Sequence, residues 1–203
     1  VARGHLLLAV SPSLPVRSVR ELIDLAKKTP GKLTNASSSN GSPGHVAGAL
    51  FKYMTGTEIV HVPYKGGAMA INDLIAGHVQ VIWESLNSIA PHARSGKVRA
   101  LAVSGARRSP GFPDLPTIAE AGVPGYEAGT WTGIIAPAGL PQPVIEKLNS
   151  AVNLAIHSPI FTERFALIGD EPAGGTPQDF ADTIRRDSAR WGEVVRRSGA
   201  KID

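Results

Sequence analysis

The stretch Leu33–Gly56, LTNASSSNGSPGHVAGALFKYMTG, gathers the residues of this chain best suited to chemistry. Its first half is almost all Ser, Asn and Gly, and its second half has helical spacing. Ser hydrolysis would need G-x-S-x-G on a strand–turn–helix. Around Ser42 the chain reads Ser39-Asn40-Gly41-Ser42-Pro43-Gly44, so the first glycine is missing. His45 lies three residues from Ser42 on the same helix start, a poor position for the base of a triad. Anion binding fits better. The first turn of a helix has unpaired N–H groups at the positive end of its dipole. Gly41 and Gly44 let a ligand approach the backbone, and Ser37, Ser38, Ser39, Asn40 and Ser42 add donors. A carboxylate or phosphate needs no Arg or Lys there. Plain capping by Ser42 in a loop explains the same residues, so this stretch by itself leaves both readings open.

A second loop tips the balance towards binding. In VPYKGGAMAINDLIAG a strand runs into Pro63-Tyr64-Lys65-Gly66-Gly67 and then a helix. A third strand ends in Glu84-Ser85. Polar loops at parallel strand ends would face one crevice. Tyr64 would either bond a ligand or cap the core, and Lys65 reads more simply as a solvated cation than as an anion clamp. Other chemistries lack their residues. Gly96-Lys97 is followed by Val98, so a phosphate loop lacks its metal-binding hydroxyl, and there is no G-x-G-x-x-G. The six histidines are dispersed without metal-ligand spacing, and His61 and His92 read as structural. The triplet Asn40-Gly41-Ser42 matches a glycosylation acceptor and carries little weight.

The elements that must position these residues alternate in the first two thirds. HLLLAV reads as a buried strand, SVRELIDLAKKTPG as a helix with a Ser18/Glu21 capping box, and KLTNAS as a short strand. HVAGALFKYMTG is helical and ends at Gly56; EIVHVPY is a strand; AMAINDLIAG is a helix closed by Gly77. VQVIWES, SIAPHARSG and VRALAVSG follow as strand, short helix and strand. Helices of this length between strands predict parallel pairing through right-handed crossovers. A Pro- and Gly-rich connection with one small helix at Thr117/Glu120 leads to a strand, TWTGIIAP. Three helices complete the chain, two of them begun by Ser158-Pro159 and Thr176-Pro177. Their stripes, Val144/Leu148/Val152/Ile156 and Phe180/Ile184/Trp191/Val195, require burial. Either they pack on each other and on the first sheet, or their own sheet lies outside this sequence; the second is favoured.

Composition bounds the class. The chain has 203 residues, 42% hydrophobic and 19% charged, enough for a real core built mainly on aliphatic side chains. It has no cysteine, which excludes disulfides, Cys-ligated zinc and iron–sulfur clusters. No apolar run approaches a membrane span. The net charge of +4 is scattered or paired with acids, as in IRRDSARWGEVVRR, with no basic stripe interleaved with aromatics, so nucleic acid is not expected as a partner. Val1–Val10 lacks the charged start and cleavage site of a signal peptide.

Four pieces, NGSPGHVAGALFK, IVHVPYKGGAMAINDLIAGHVQVIWES, GKVRALAVSGARRSPGFPDLPTIAEAG and TWTGIIAPAGLP, form a specific ordered set. Through them the chain, from about Leu6 to Asp203, resembles the tripartite tricarboxylate transporter solute receptors, also called Bug receptors. The resemblance implies an α/β, type II periplasmic-binding-protein-like fold: one parallel-type α/β lobe plus the helical C-terminal part of the other lobe. Residues 1–130 would be the second lobe with its ligand-facing loops, 1–10 and 128–136 hinge strands, and 131–203 a hinge strand with the helical remainder of the first lobe. It implies capture of a small carboxylate in the periplasm, delivery to membrane permease subunits, no enzymatic step, no cofactor and no metal. The implied contacts are Ser37, Ser38, Ser39, Asn40, Gly41, Ser42, His45, Tyr64, Lys65, Gly66, Gly67, Glu84 and Ser85. Glu84-Ser85 departs from the family's usual Asp-Asn, and Ala36 and Ser39 stand where Gly is common. The signal peptide and most of the first lobe are missing, which implies an N-terminally truncated member or half of a split receptor. Its exposed stripes would pair with a second copy or with a separate first-half chain. The alternative is a non-binding remnant that acts in self-association or partner interaction.

Overall fold

The computed structural model describes residues 1–198; residues 199–203, the end of the C-terminal part assigned from sequence, lie outside the described residues. In chain order the elements are β1 (Ala2–Gly4), β2 (Leu6–Val10), α1 (Val19–Lys28), β3 (Leu33–Ser37), α2 (Pro43–Thr55), β4 (Ile59–Pro63), α3 (Gly67–Ala76), β5 (Val81–Ser85), α4 (Leu86–Arg94) and β6 (Arg99–Val103). They continue with β7 (Thr130–Thr132), α5 (Gln142–Ile156), α6 (Pro159–Ile168), β8 (Glu171–Pro172) and α7 (Pro177–Ser198).

Five strands form one sheet in the order β4-β3-β5-β2-β6. Every residue of β2 is buried because both faces of the sheet are covered. Leu6, Leu8 and Val10 join Leu22 of α1 and Phe51 of α2 in one core. Leu7 and Ala9 join Ile71 and Leu74 of α3 and Ile89 of α4 in the other. The helix ends follow local chemistry. Ser18 Oγ accepts the Glu21 N–H at 3.1 Å, and Glu21 Oε2 accepts the Arg17 N–H at 2.7 Å. Gly56 ends α2 at φ 63°, a conformation that favours glycine. The Arg99 guanidinium donates to the carbonyls of Leu14, Val16 and Pro12 and so holds down the segment between β2 and α1.

Three expectations are corrected in detail. Strand β2 runs antiparallel to both β5 and β6, so the sheet is mixed; β3 pairs parallel with β4 and β5 as expected. A fully buried apolar run has no alternation and carries no sign of its direction. The turn at Thr117 has a reciprocal cap, Thr117 N–H to Glu120 Oε2 at 2.9 Å and Glu120 N–H to Thr117 Oγ1 at 3.1 Å, but no helix follows. Gly122, at φ 117°, and Pro124 stop it after one turn. Third, TWTGIIAP is strand only over Thr130–Thr132, because its neighbour β1 ends at the Ala2–Thr132 pair. Ile134 and Ile135 then run on exposed.

Strand β1 also pairs with β8, which gives a small sheet in the order β7-β1-β8. Of the arrangements weighed from sequence, packing on the first sheet holds for part of α7. Trp191 and Val194 of α7 pack against the core on the α1/α2 side of the large sheet, and Arg197 reaches the Tyr53 hydroxyl at 3.1 Å. Val144 and Leu148 of α5 stay exposed, while Ile156 is buried. Between α5, α7 and the 131–140 segment lies a groove of ≈ 450 Å³, lined by Trp131, Ile134, Leu148, Val152 and Phe180 among others.

Leu8 and Val60 test this layering, because one is fully buried and the other sits exposed on the edge strand β4. Leu8→Ala should lower the unfolding free energy by about 2–5 kcal/mol. Val60→Thr should change it by less than about 0.5 kcal/mol. Urea midpoints at unchanged slope measure both.

Candidate functional site

Strands β3, β4 and β5 are mutually parallel, so the turns that follow them open at one edge of the sheet. The backbone ties these turns together. Tyr64 N–H donates to Ser37 O and Gly66 N–H to Ser38 O, both at 2.9 Å, which extends the β3–β4 pairing beyond the strands. Gly66, at φ 122°, makes the bend that such stitching requires.

The β3–α2 turn is ordered by its own side chains. Ser42 caps α2, its Oγ accepting the His45 N–H at 3.4 Å, and Pro43 occupies the first turn. Ser42 N–H donates to Ser39 O and Val46 N–H to Ser42 O. Pro43 has no N–H, so Gly44 carries the remaining first-turn amide. A Cβ on Gly44 would collide with the Trp83 carbonyl oxygen, so glycine is what seats α2 on the end of β5. Gly41 sits at φ 73°, and its N–H donates to His45 Nδ1 at 3.0 Å. A β-branched side chain at Gly41 would therefore strain the turn as well as crowd its mouth.

The His45 ring stacks on His61 of β4, centroids 3.7 Å apart and planes within 3°. His61 Nε2 lies 2.7 Å from Ser37 Oγ, which in turn donates to Ser39 O at 2.9 Å. Ser37 has one proton and has given it to Ser39, so His61 must donate to Ser37. Burial, the stacked His45 and Lys52 push the His61 pKa down to about 4. Burial and Lys52 lower that of His45. The buried Ser37 hydroxyl is thus committed inside the chain. Ser38 and Asn40 are half-buried, and Ser39 and Gly41 exposed.

In the second turn the Tyr64 hydroxyl donates to Asp73 Oδ2 at 2.6 Å, and Asp73 Oδ1 faces His78 Nδ1 at 3.3 Å. Burial and then the Asp73 bond push the Tyr64 pKa up to about 12. Lys65 is exposed. Alternation along β5 sends Trp83 to the α2 face and Glu84 to the α3 face. There the Glu84 carboxylate lies against the start of α3, so that a Cβ on Gly67 would come 2.8 Å from its Oε2. Its Oε1 accepts the Ser85 N–H at 2.8 Å. Burial raises the Glu84 pKa, opposed by that bond.

The residues singled out from sequence lie at the ends of β3, β4 and β5, with Ser37, Ser42 and His45 towards α2 and Glu84 towards α3. Sequence reasoning missed Asp73 as the partner of Tyr64 and His61 as the partner of His45 and Ser37. The first was hidden in an ordinary helix pattern, and the second needed the parallel register of β3 and β4. No group of three His, Cys, Asp or Glu among the described residues could hold a metal ion.

Gly67 and Glu84 should behave as a coupled pair. Gly67→Ala alone should destabilise the chain by forcing the carboxylate aside. In a Glu84→Ala background the same change should cost less, with an interaction energy of about 0.5–3 kcal/mol. Urea unfolding of the two single variants and the double variant gives that number.

Comparison with known proteins places these features among known relatives. Residues 1–200 match the model of the tripartite tricarboxylate transporter family receptor. The chain is 38% identical to BugT of Bordetella pertussis over 197 residues, 97% of this chain and 60% of that protein. Among solved structures it is similar to R. palustris Rpa4515 with adipate, at 43% identity and TM-score 0.93, covering 98% of this chain and 67% of that one. It is also similar to MatC (Rpa3494) of Rhodopseudomonas palustris with bound malate, at 28% identity and TM-score 0.86, covering 96% and 67%. The chain spans 56–60% of the length of three curated relatives that it matches over at least 93% of itself.

Proposed function

The chain belongs to the tripartite tricarboxylate transporter receptor family, and from that premise we propose that it is a solute-binding receptor for a small carboxylate. The observation that carries this reading is the β3–α2 turn. Gly41 is exposed and carries no side chain at the mouth of the turn, Gly44 lets α2 start close against β5, and Ser38, Ser39, Asn40 and Ser42 surround the helix start. In this reading one carboxylate of the ligand meets the first turn of α2, and Tyr64, Lys65, Gly66, Gly67, Glu84 and Ser85 flank its other end. Relatives with adipate and with malate support a carboxylic acid as the class. The ligand is handed on unchanged to permease subunits, and the receptor works in the periplasm. No helix among the described residues is long and apolar enough to cross a membrane. His45 and Ser37 act from below the ligand, since their polar atoms face the turn itself.

The groove beside α5 and α7 supports a second element of the proposal. We take it as the face on which further receptor structure packs, in line with the share of the relatives' length that this chain spans. The 1–130 and 131–198 parts then belong to two lobes joined through β1 and β7. On its own the chain would cover that face with a second copy. A remnant that only associates is the competing reading, and the exposed Ile135, Leu148 and Leu154 are what favour it.

Two measurements test these claims. Adding adipate or malate to the ¹⁵N-labelled chain should shift the Gly41 and Gly44 amides saturably at millimolar concentrations. Shifts confined to the groove residues, or none at all, would favour the non-binding remnant. Light scattering across a dilution series should give a mass above the 21.3 kDa of one chain, falling towards it on dilution. Leu148→Glu should shift that transition to higher concentration, because it places a charge on the apolar face. A monomer at every concentration would remove the self-association claim.

A further inference from the structure

The stacked pair of His45 and His61 is more than filling beneath the turn, because the His45 contact depends on charge state and the two rings lie face to face. Gly41 N–H donates to His45 Nδ1, which can accept only while it carries no proton. His61 Nε2 donates to Ser37 Oγ, whose proton goes to Ser39 O. His45 thus holds the Gly41 N–H only as a neutral ring, whereas the His61 bond to Ser37 survives protonation, so that a charge on His61 acts on the turn through the stack. Face-to-face rings 3.7 Å apart also tolerate a charge poorly. The groups that bear on the pair reinforce this. Lys52, on α2 itself, opposes protonation of both rings, and His45 opposes protonation of His61. From β3 the pair meets the uncharged Ser37. The Glu84 carboxylate of β5 lies on the α3 face of the sheet. Where α7 meets Tyr53, Glu193 is ion-paired with Arg196 and Arg197. None of these acids is in contact with either ring.

We propose that His45 and His61 are positioning residues that hold the β3–α2 turn in its binding form only as a neutral pair, so that acid releases the turn. The proposal rests on the reading of that turn as the ligand site, and it adds how the site is regulated. The sign follows from the folded state favouring the neutral rings. The stabilisation is complete above pH 6.5, the ordinary histidine value, and is lost as pH falls towards about 4, the value to which His61 is depressed. Protonated His45 would turn a donor towards the Gly41 donor, and the turn would swing away from the rings.

The test is nuclear magnetic resonance of the labelled chain without ligand from pH 7.5 to 3.5. Both imidazoles should titrate below pH 6.5. The Gly41 amide should lose at least tenfold of its protection from exchange with water, corrected for intrinsic pH dependence, in step with them. His45→Gln keeps an acceptor for Gly41 and cannot titrate in this range, so its Gly41 protection should stay level with pH. A merely structural role would leave Gly41 protection level in the parent chain too, and that result overturns the proposal. So does titration of either ring at or above pH 6.5. Because no carboxylate is present, a failed ligand titration and a failed histidine test are separate outcomes.

Discussion

The parallel pairing of β3 with β4 and β5 is the constraint on which the rest of this site depends. It brings three chain segments to one edge, and its hydrogen bonds do not stop where the strands do. The amides of Tyr64 and Gly66 reach the carbonyls of Ser37 and Ser38, so the second turn is laid directly on the first. The same register sets Asn35 opposite His61, which places the His61 ring where His45 can cover it and Ser37 can receive its proton. A shift of one residue along β3 would turn each side chain to the other face of the sheet and dissolve the cluster.

Two helices start at this edge, and the chain treats their positive ends differently. The start of α2 is met by neutral groups: a serine cap, small side chains and an imidazole that accepts one amide. The start of α3 has no side-chain cap and has the Glu84 carboxylate beside it, admitted by the bare Gly67. One end is left without a formal charge of its own, and the other has an internal anion that burial makes easier to protonate. Like charges in so small a space repel strongly, so the two ends differ in what they can receive from solution.

Much of this could be read along the chain, and the limits are instructive. The β/α alternation, the Ser18 cap and the glycine stops at Gly56 and Gly77 are local features, and residue types report them directly. The small polar run Ser38–Ser42 ahead of α2 is also local. The direction of β2 was not readable, because direction depends on which strands lie beside it and Leu6–Val10 is apolar throughout. The helix expected at Thr117 had the right cap but no room to continue before Gly122 and Pro124. The His45–His61 stack and the Tyr64–Asp73 bond join residues 16 and 9 positions apart. Each of those side chains looks ordinary in its own segment. They become a unit only once β3, β4 and α3 are in place.

Helix α7 has a mechanical consequence. Its 22 residues make a rod of about 33 Å at 1.5 Å per residue. One half, through Trp191, Val194 and Arg197, is fastened to α2 and the core beneath it; the other, through Phe180, forms a wall of the groove. A rod of that length tilted by about 5° about one end carries its other end through about 3 Å. The same rod therefore joins the groove, at Phe180, to α2, whose other end bears Ser42 and Gly44.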